Sequence, residues 1–211
     1  MARYTGPICR MCRAEGTKLF LKGDRCKSDK CPINKKRGAP GKDPKLRAGK
    51  RSEYGTQLRE KQKIKRLYGM LEKQFRLTFG RAQRMSGVTG ANLITLLESR
   101  LDNVVFRMHF AINRNQARQL VLHGHMLVNG KKVTIPSYNV KPGDVVEVKE
   151  KSKKLAVVQD GLKELSKASG NPWVSVDVDA VKGTFTAYPR REEVTDLADI
   201  KEQLVVELYS K

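Results

Sequence analysis

Negative charge is scarce in this chain: 22 Asp and Glu stand against 43 Lys and Arg in 211 residues, a formal net charge of +21. An excess of that size calls for a polyanionic partner, and a membrane surface is the first to exclude. There is no apolar run of about eighteen residues and no basic helix with a bulky aromatic face. Catalytic sets are missing too. No phosphate-binding glycine loop and no His/Cys/Glu constellation is present, and the three histidines, His109, His123 and His125, lack the carboxylate spacing of a triad. No zipper for dimeric reading of duplex DNA is visible. After Met1-Ala2-Arg3 no apolar segment resembles a secretory leader, so a reducing, cytoplasmic setting is expected.

Cysteine is confined to four positions, Cys9, Cys12, Cys26 and Cys31. The pattern is C-x2-C followed by C-x4-C, in which each short spacer lets two sulfurs reach one tetrahedral ion. Gly16 and Gly23 allow tight turns inside the loop, and Pro32 stops the chain after Cys31. Arg10, Arg13, Arg25, Lys27 and Lys30 surround the thiols with positive charge, which favours the thiolate that binds metal. In a reducing compartment metal is favoured over a pair of disulfides. Zinc is the default for such ligands, and an iron–sulfur cluster is the alternative.

The positive charge is graded along the chain. Residues 1–51 hold 16 Lys and Arg against 4 Asp and Glu, 52–98 hold 9 against 4, 99–174 hold 13 against 6, and 175–211 hold 5 against 8. Three basic segments fit many phosphate contacts with steep salt dependence. The stretch 35–51, rich in Gly, Pro and charge, reads either as a solvated linker or as a segment that orders when its cations meet phosphates. The acidic end is the least suited to RNA and the best suited to a protein neighbour.

The periodicity predicts an α+β chain. A helical pattern starts at Ser52, a good N-cap, with Leu58, Ile64, Leu67, Leu71 and Phe75 on one face. Arg59, Lys61, Lys63, Lys65, Arg66 and Lys73 lie on the other, which makes Arg59 and Lys63 candidate RNA contacts. A second helix is predicted over 91–108. Asn113 should cap a third, on which Arg114 and Arg118 fall four apart on one face, and Gly124 should end it. His125–Val128 and Lys132–Ile135 then form a hairpin turned at Asn129-Gly130, and Val145–Val148 follows the Pro142-Gly143-Asp144 turn. Near the end, Val174–Val178 and Gly183–Tyr188 read as strands, Trp173 as a packing anchor, and Leu197, Ile200, Leu204 and Leu208 as a helical stripe expected to pack on the helices of 52–80.

Particular residues carry a resemblance. Arg100-Leu101-Asp102-Asn103-Val104-Val105-Phe106-Arg107, Asn113–Val121 and His123–Val133 are similar to the RNA-binding domain named after the bacterial small-subunit ribosomal protein four family. Glu53–Lys63, the cysteine quartet and the ending Val206–Lys211 resemble the same family, so the likeness covers nearly the whole chain. It implies a metal-binding basic arm (1–45), a mainly helical domain (46–98, completed by 190–211), and an inserted αL-type RNA-binding domain with a small antiparallel sheet (99–189, core 99–150).

The resemblance also implies a function without catalysis. A member would be a ribosome-bound primary binder of the 5′ domain of 16S rRNA that nucleates assembly of the small-subunit body. It would lie beside ribosomal protein five, near protein three, where mRNA enters. It would influence translational accuracy with proteins five and twelve and repress its own operon. By motif, Arg100, Arg107, Arg114, Arg118, His123, Lys131 and Lys132 become RNA contacts and the four cysteines metal ligands. Arg47, Lys50 and Arg51 match the basic stretch near the mRNA less specifically. Related RNA-binding domains occur in pseudouridine synthases and a tRNA synthetase, but this chain has no room for their separate catalytic domains.

Overall fold

The structure is a computed structural model, described here for residues 4–41, 51–165 and 170–210. In chain order its elements are α1 (Cys9–Glu15), α2 (Asp24–Lys27), α3 (Glu53–Leu67), α4 (Glu72–Arg84), α5 (Thr89–Glu98), α6 (Leu101–Arg107) and α7 (Arg114–Leu122), then β1 (Met126–Val128), β2 (Lys131–Lys132), β3 (Val145–Val148), α8 (Ala156–Leu165), β4 (Val174–Asp177), β5 (Lys182–Phe185) and α9 (Glu202–Ser210). They form two compact units. One takes in the chain up to Leu93 together with Thr195 onward, and the other is Ile94–Val194, so the division falls inside α5.

In the first unit the predicted cap holds: Ser52 Oγ accepts from the Gly55 amide at 3.1 Å and starts α3. The helical pattern that begins at Ser52 forms two helices. Gly69, in the left-handed region at φ +62, turns the chain between α3 and α4, which L side chains rarely permit. Ile64, Leu67, Phe75 and Phe79 form the core. The last helix lies on α3 and α4, where Tyr209 stacks on Phe79 at 4.6 Å and Gln57 Nε2 donates to Glu207 Oε2 at 3.1 Å. It starts later than the apolar stripe suggested. Leu197 sits in a preceding 3-10 turn and, like Ile200, is buried before α9 begins.

In the second unit the helix expected over 91–108 is split at Ser99 and Arg100. The backbone there pairs with a distant loop: Leu101 N donates to Tyr138 O at 2.8 Å, Asp102 N to Pro136 O at 3.1 Å, and Val140 N to Ser99 O at 2.8 Å. Those bonds replace helical ones, so tertiary pairing overrides a continuous apolar period. Asn113 Oδ1 accepts from Gln116 N at 3.0 Å and caps α7, as its sequence position predicts. Asn129 and Gly130, at φ +50 and +76, make the expected tight hairpin between β1 and β2. The sheet has five antiparallel strands in the order β2-β1-β3-β5-β4. Trp173 is buried at 2% exposure, as a packing anchor should be. The fold is α+β, with a mainly helical unit and a unit built around this small sheet.

Candidate nucleic-acid interface

The most basic motif residues of the second unit are not on its surface. Arg100, Arg107 and Arg118 are 5%, 6% and 7% exposed. Arg100 forks onto Asp102, Nε to Oδ1 at 3.0 Å and Nη2 to Oδ2 at 2.7 Å, and Arg118 Nη1 reaches the same Oδ2 at 3.1 Å from α7. Arg107 forks onto Glu98 with two bonds of 2.8 Å, while Asn103 Nδ2 donates to Glu98 Oε2 at 2.7 Å. A buried charge persists only when paired and hydrogen-bonded, and both carboxylates here supply that pairing. The three arginines expected to face RNA are thus buried and paired here: their guanidinium groups knit α6 to α7 and to the end of α5. Their spacing to Asp102 and Glu98 follows no helical repeat, so periodicity could not reveal the pairs.

Arg114 is positioned differently. It is half-buried, its Nε donates to Asn103 Oδ1 at 2.8 Å, and its guanidinium lies 4.5 Å from the centre of the Phe106 ring. Arg114 and Arg118 thus do not share one exposed face. Asn103 bridges both networks, accepting from Arg114 and donating to Glu98. Such a held guanidinium can meet a phosphate or a base plane with little entropy left to lose.

One group of exposed basic residues lies where α7 ends and the hairpin begins. His123, Lys131 and Lys132 are exposed, and the His123 and His125 rings lie parallel with centroids 6.2 Å apart. Lys132 folds across the end of α7, because a Cβ built on Gly124 would lie 2.2 Å from Lys132 Cε. His125 shares a 2.8 Å hydrogen bond with Ser152 Oγ. Burial lowers the pKa of His125, and the positive surroundings of His123, Lys149 and Lys132 lower it further. That surface is a positive patch suited to phosphate. Sequence reasoning singled out three of its members and missed His125 and Lys149, which come together only through the β1–β3 pairing.

In the first unit the α3 cations are largely answered internally. Arg59 Nη1 meets Glu15 Oε1 at 3.4 Å, Lys63 meets Glu60 at 2.5 Å, and Lys61 and Lys65 hold the two oxygens of Glu72 at 2.7 and 2.9 Å. Arg66 also pairs with Glu15, whose side chain is fully buried. Burial raises the Glu15 pKa against the pull of Arg66 and Arg59. Arg59 and Lys63 are thus half-buried partners of carboxylates instead of free members of a basic face. Arg51 is exposed. Arg47 and Lys50 lie outside the described residues.

The four cysteines all remain thiols. Together with Arg25, Pro32 and Ile33 they line one cavity of about 20 Å³, room for a single small occupant. Among the described residues no set of three or more His, Cys, Asp or Glu side chains already stands in ligating positions. The donor chemistry fits a soft ion nonetheless: burial raises the Cys12 thiol pKa, and Cys26, Cys9 and Cys31 add to the effect. A cation among them would reverse that cost.

Among the described residues no helix is long and apolar enough to cross a membrane. Residues 3–98 match the family described as ribosomal protein S4/S9 N-terminal domain, and residues 99–146 match the S4 domain. Proteins named small ribosomal subunit protein uS4 from Thermotoga petrophila and Syntrophotalea carbinolica are each 56% identical over 211 residues, the full length of both chains. The protein of that name from Natranaerobius thermophilus is 56% identical over 212 residues, again end to end.

Proposed function

The chain belongs to the small ribosomal subunit protein uS4 family, a structural ribosomal protein and not an enzyme, and from that premise we propose that it is a primary binder of 16S rRNA. It recognises the 5′ domain and helps nucleate the small-subunit body, in the cytoplasm and bound to the ribosome. The observation that carries this reading is the contrast within the second unit. Arg100, Arg107 and Arg118 are spent on a rigid frame, whereas His123, His125, Lys131, Lys132 and Lys149 form a patch on that frame's surface. Recognition by shape and phosphate needs such a preset frame.

The finer roles follow from the family. The protein would sit beside ribosomal proteins five and three where mRNA enters, affect accuracy with proteins five and twelve, and repress its own operon. Cys9, Cys12, Cys26 and Cys31 would hold one Zn2+, with an iron–sulfur cluster as the alternative. The metal would act as a structural clamp on the arm.

The test is affinity for the 5′ domain of 16S rRNA over a salt series, with tRNA and duplex DNA as competitors. Tight binding that survives both competitors at physiological salt is expected. Equal collapse with either competitor would reduce the protein to a generic polyanion binder.

A further inference from the structure

We propose that the patch where α7 meets the hairpin is a proton-linked anion site: an RNA phosphate seated between Lys132 and Lys149 draws a proton onto His125, so that rRNA is held more tightly as pH falls. The proposal rests on the rRNA-binding reading and adds to it a dependence on pH that is lodged in one side chain.

The sheet order places β1 between β2 and β3, and His125 immediately precedes β1. On one flank the His125 carbonyl accepts from Lys149 N at 2.8 Å, which fixes Lys149 beside it. On the other flank Lys132 of β2 folds across the chain at Gly124. The His123 ring lies parallel to that of His125, with an angle of 3° between the planes, and its Nε2 is held 2.8 Å from Gln119 Oε1. His123, Lys132 and Lys149 are exposed and His125 is half-buried. Among the described residues neither lysine is ion-paired with a carboxylate.

Burial disfavours a charge on His125, and the positive neighbours His123, Lys149 and Lys132 disfavour it further, so its pKa lies below an ordinary 6.5. Of the carboxylates on adjoining elements, Glu150 Oε2 meets Lys153 Nζ at 2.7 Å, and Glu147 stands opposite Lys182 in the β3–β5 register. Lys131 on the hairpin and Lys151 on the turn after β3 add two more exposed cations. An anion entering between Lys132 and Lys149 reverses this balance, because a nearby negative charge favours the protonated ring.

Ser152 lets the ring change state without moving. This residue is buried, and its Oγ lies 2.8 Å from His125 Nδ1. A hydroxyl donates to a neutral imidazole nitrogen and accepts from a protonated one, so the contact survives either way. In the free protein His125 takes up its proton only below pH 6.5, whereas with a phosphate bound it holds that proton to higher pH. Between those two limits binding takes one proton from solvent, so affinity rises as pH falls and levels off below the lower limit. An RNA phosphate and a small inorganic oxyanion share this chemistry, and the experiment separates them.

The test compares full-length wild type with His125→Asn, whose amide can still reach Ser152, and with His109→Asn, which removes a histidine outside the patch. Affinity for the rRNA 5′ domain is measured at fixed salt from about pH 8 down to about pH 5, the range in which histidine titrates. Wild type and His109→Asn should gain about tenfold across it and His125→Asn less than about twofold. A flat profile in wild type, or the same gain in His125→Asn, overturns the proposal. The His125 ring resonances of wild type, followed against pH, should titrate at higher pH in the presence of a short uridine oligonucleotide than without it, and an unmoved titration overturns the proposal by itself. Inorganic sulfate, which stays charged throughout this range, is the second probe. A displacement by sulfate and none by the oligonucleotide makes the site one for small oxyanions and overturns its assignment to RNA. If the pH gain is present but equal for rRNA and tRNA, with no preference for rRNA at any pH, the rRNA-binding reading falls and the proton-linked site stands.

Discussion

Replacing Arg107 by Ala should unfold the second unit at a much lower temperature, and the structure sets the size of the effect. Glu98 has no exposure to solvent, and the substitution removes two 2.8 Å hydrogen bonds and the countercharge from its carboxylate. Breaking a buried pair from one side costs about 3–5 kcal/mol. Arg107 also lies 5.5 Å from the centre of the Trp173 ring, a contact that contributes about 0.5–2 kcal/mol. For a unit of roughly one hundred residues each kcal/mol lowers Tm by about 4–8 °C, so a fall of at least about 15 °C is expected. The assay is intrinsic to the molecule, because Trp173 is the one tryptophan in the chain and lies within this unit. Its fluorescence during thermal unfolding reports this region. Glu98→Leu/Arg107→Met, which removes both charges, should recover much of the loss. A midpoint within about 3 °C of wild type, accompanied by weakened rRNA binding, would refute the structural assignment and return Arg107 to the RNA face.

Three other perturbations follow from the same geometry. Burial would raise the Glu72 carboxyl, but hydrogen bonds from Lys61, Lys65 and Tyr209 outweigh it and bring the pKa to about 2 from an ordinary 4.5. The stability this carboxylate lends is therefore present above pH 4.5 and lost as pH falls toward about 2. Glu72→Gln should flatten acid unfolding of the first unit in that window, and an identical acid profile would refute the pairing. The proposed metal clamp predicts that Cys9→Ser/Cys12→Ser removes the ion, read by elemental analysis against wild type, with the Trp173 midpoint unmoved. Retained metal, or a collapse of that midpoint, would contradict this account of the arm. Gly161→Ala should destabilise the second unit by about 1–3 kcal/mol, because the new Cβ would lie 2.3 Å from His109 O, a backbone atom that cannot swing aside. Unchanged stability to urea would show that α8 shifts freely.

Where a feature is settled by neighbours in the chain, the sequence alone determined it. The Ser52 and Asn113 caps, the Asn129-Gly130 turn and the β1–β2 hairpin arise from side chains and backbone torsions within a few residues. The family likeness was also legible, because it rests on residue identity. The break of 91–108 into α5 and α6 was not, since its cause is a loop some forty residues further on. Nor was α8, nor the pairing of β3 with β5, which joins separately recognised strands into one sheet. The basic residues show the difference most clearly. Sequence determined that the chain would carry a large positive charge, and so the class of partner it meets. Only the tertiary structure decided which cations remain to meet it, because a guanidinium buried against Glu98 or Asp102 and one open to phosphate are the same residue in sequence and differ only in what the fold brings beside them.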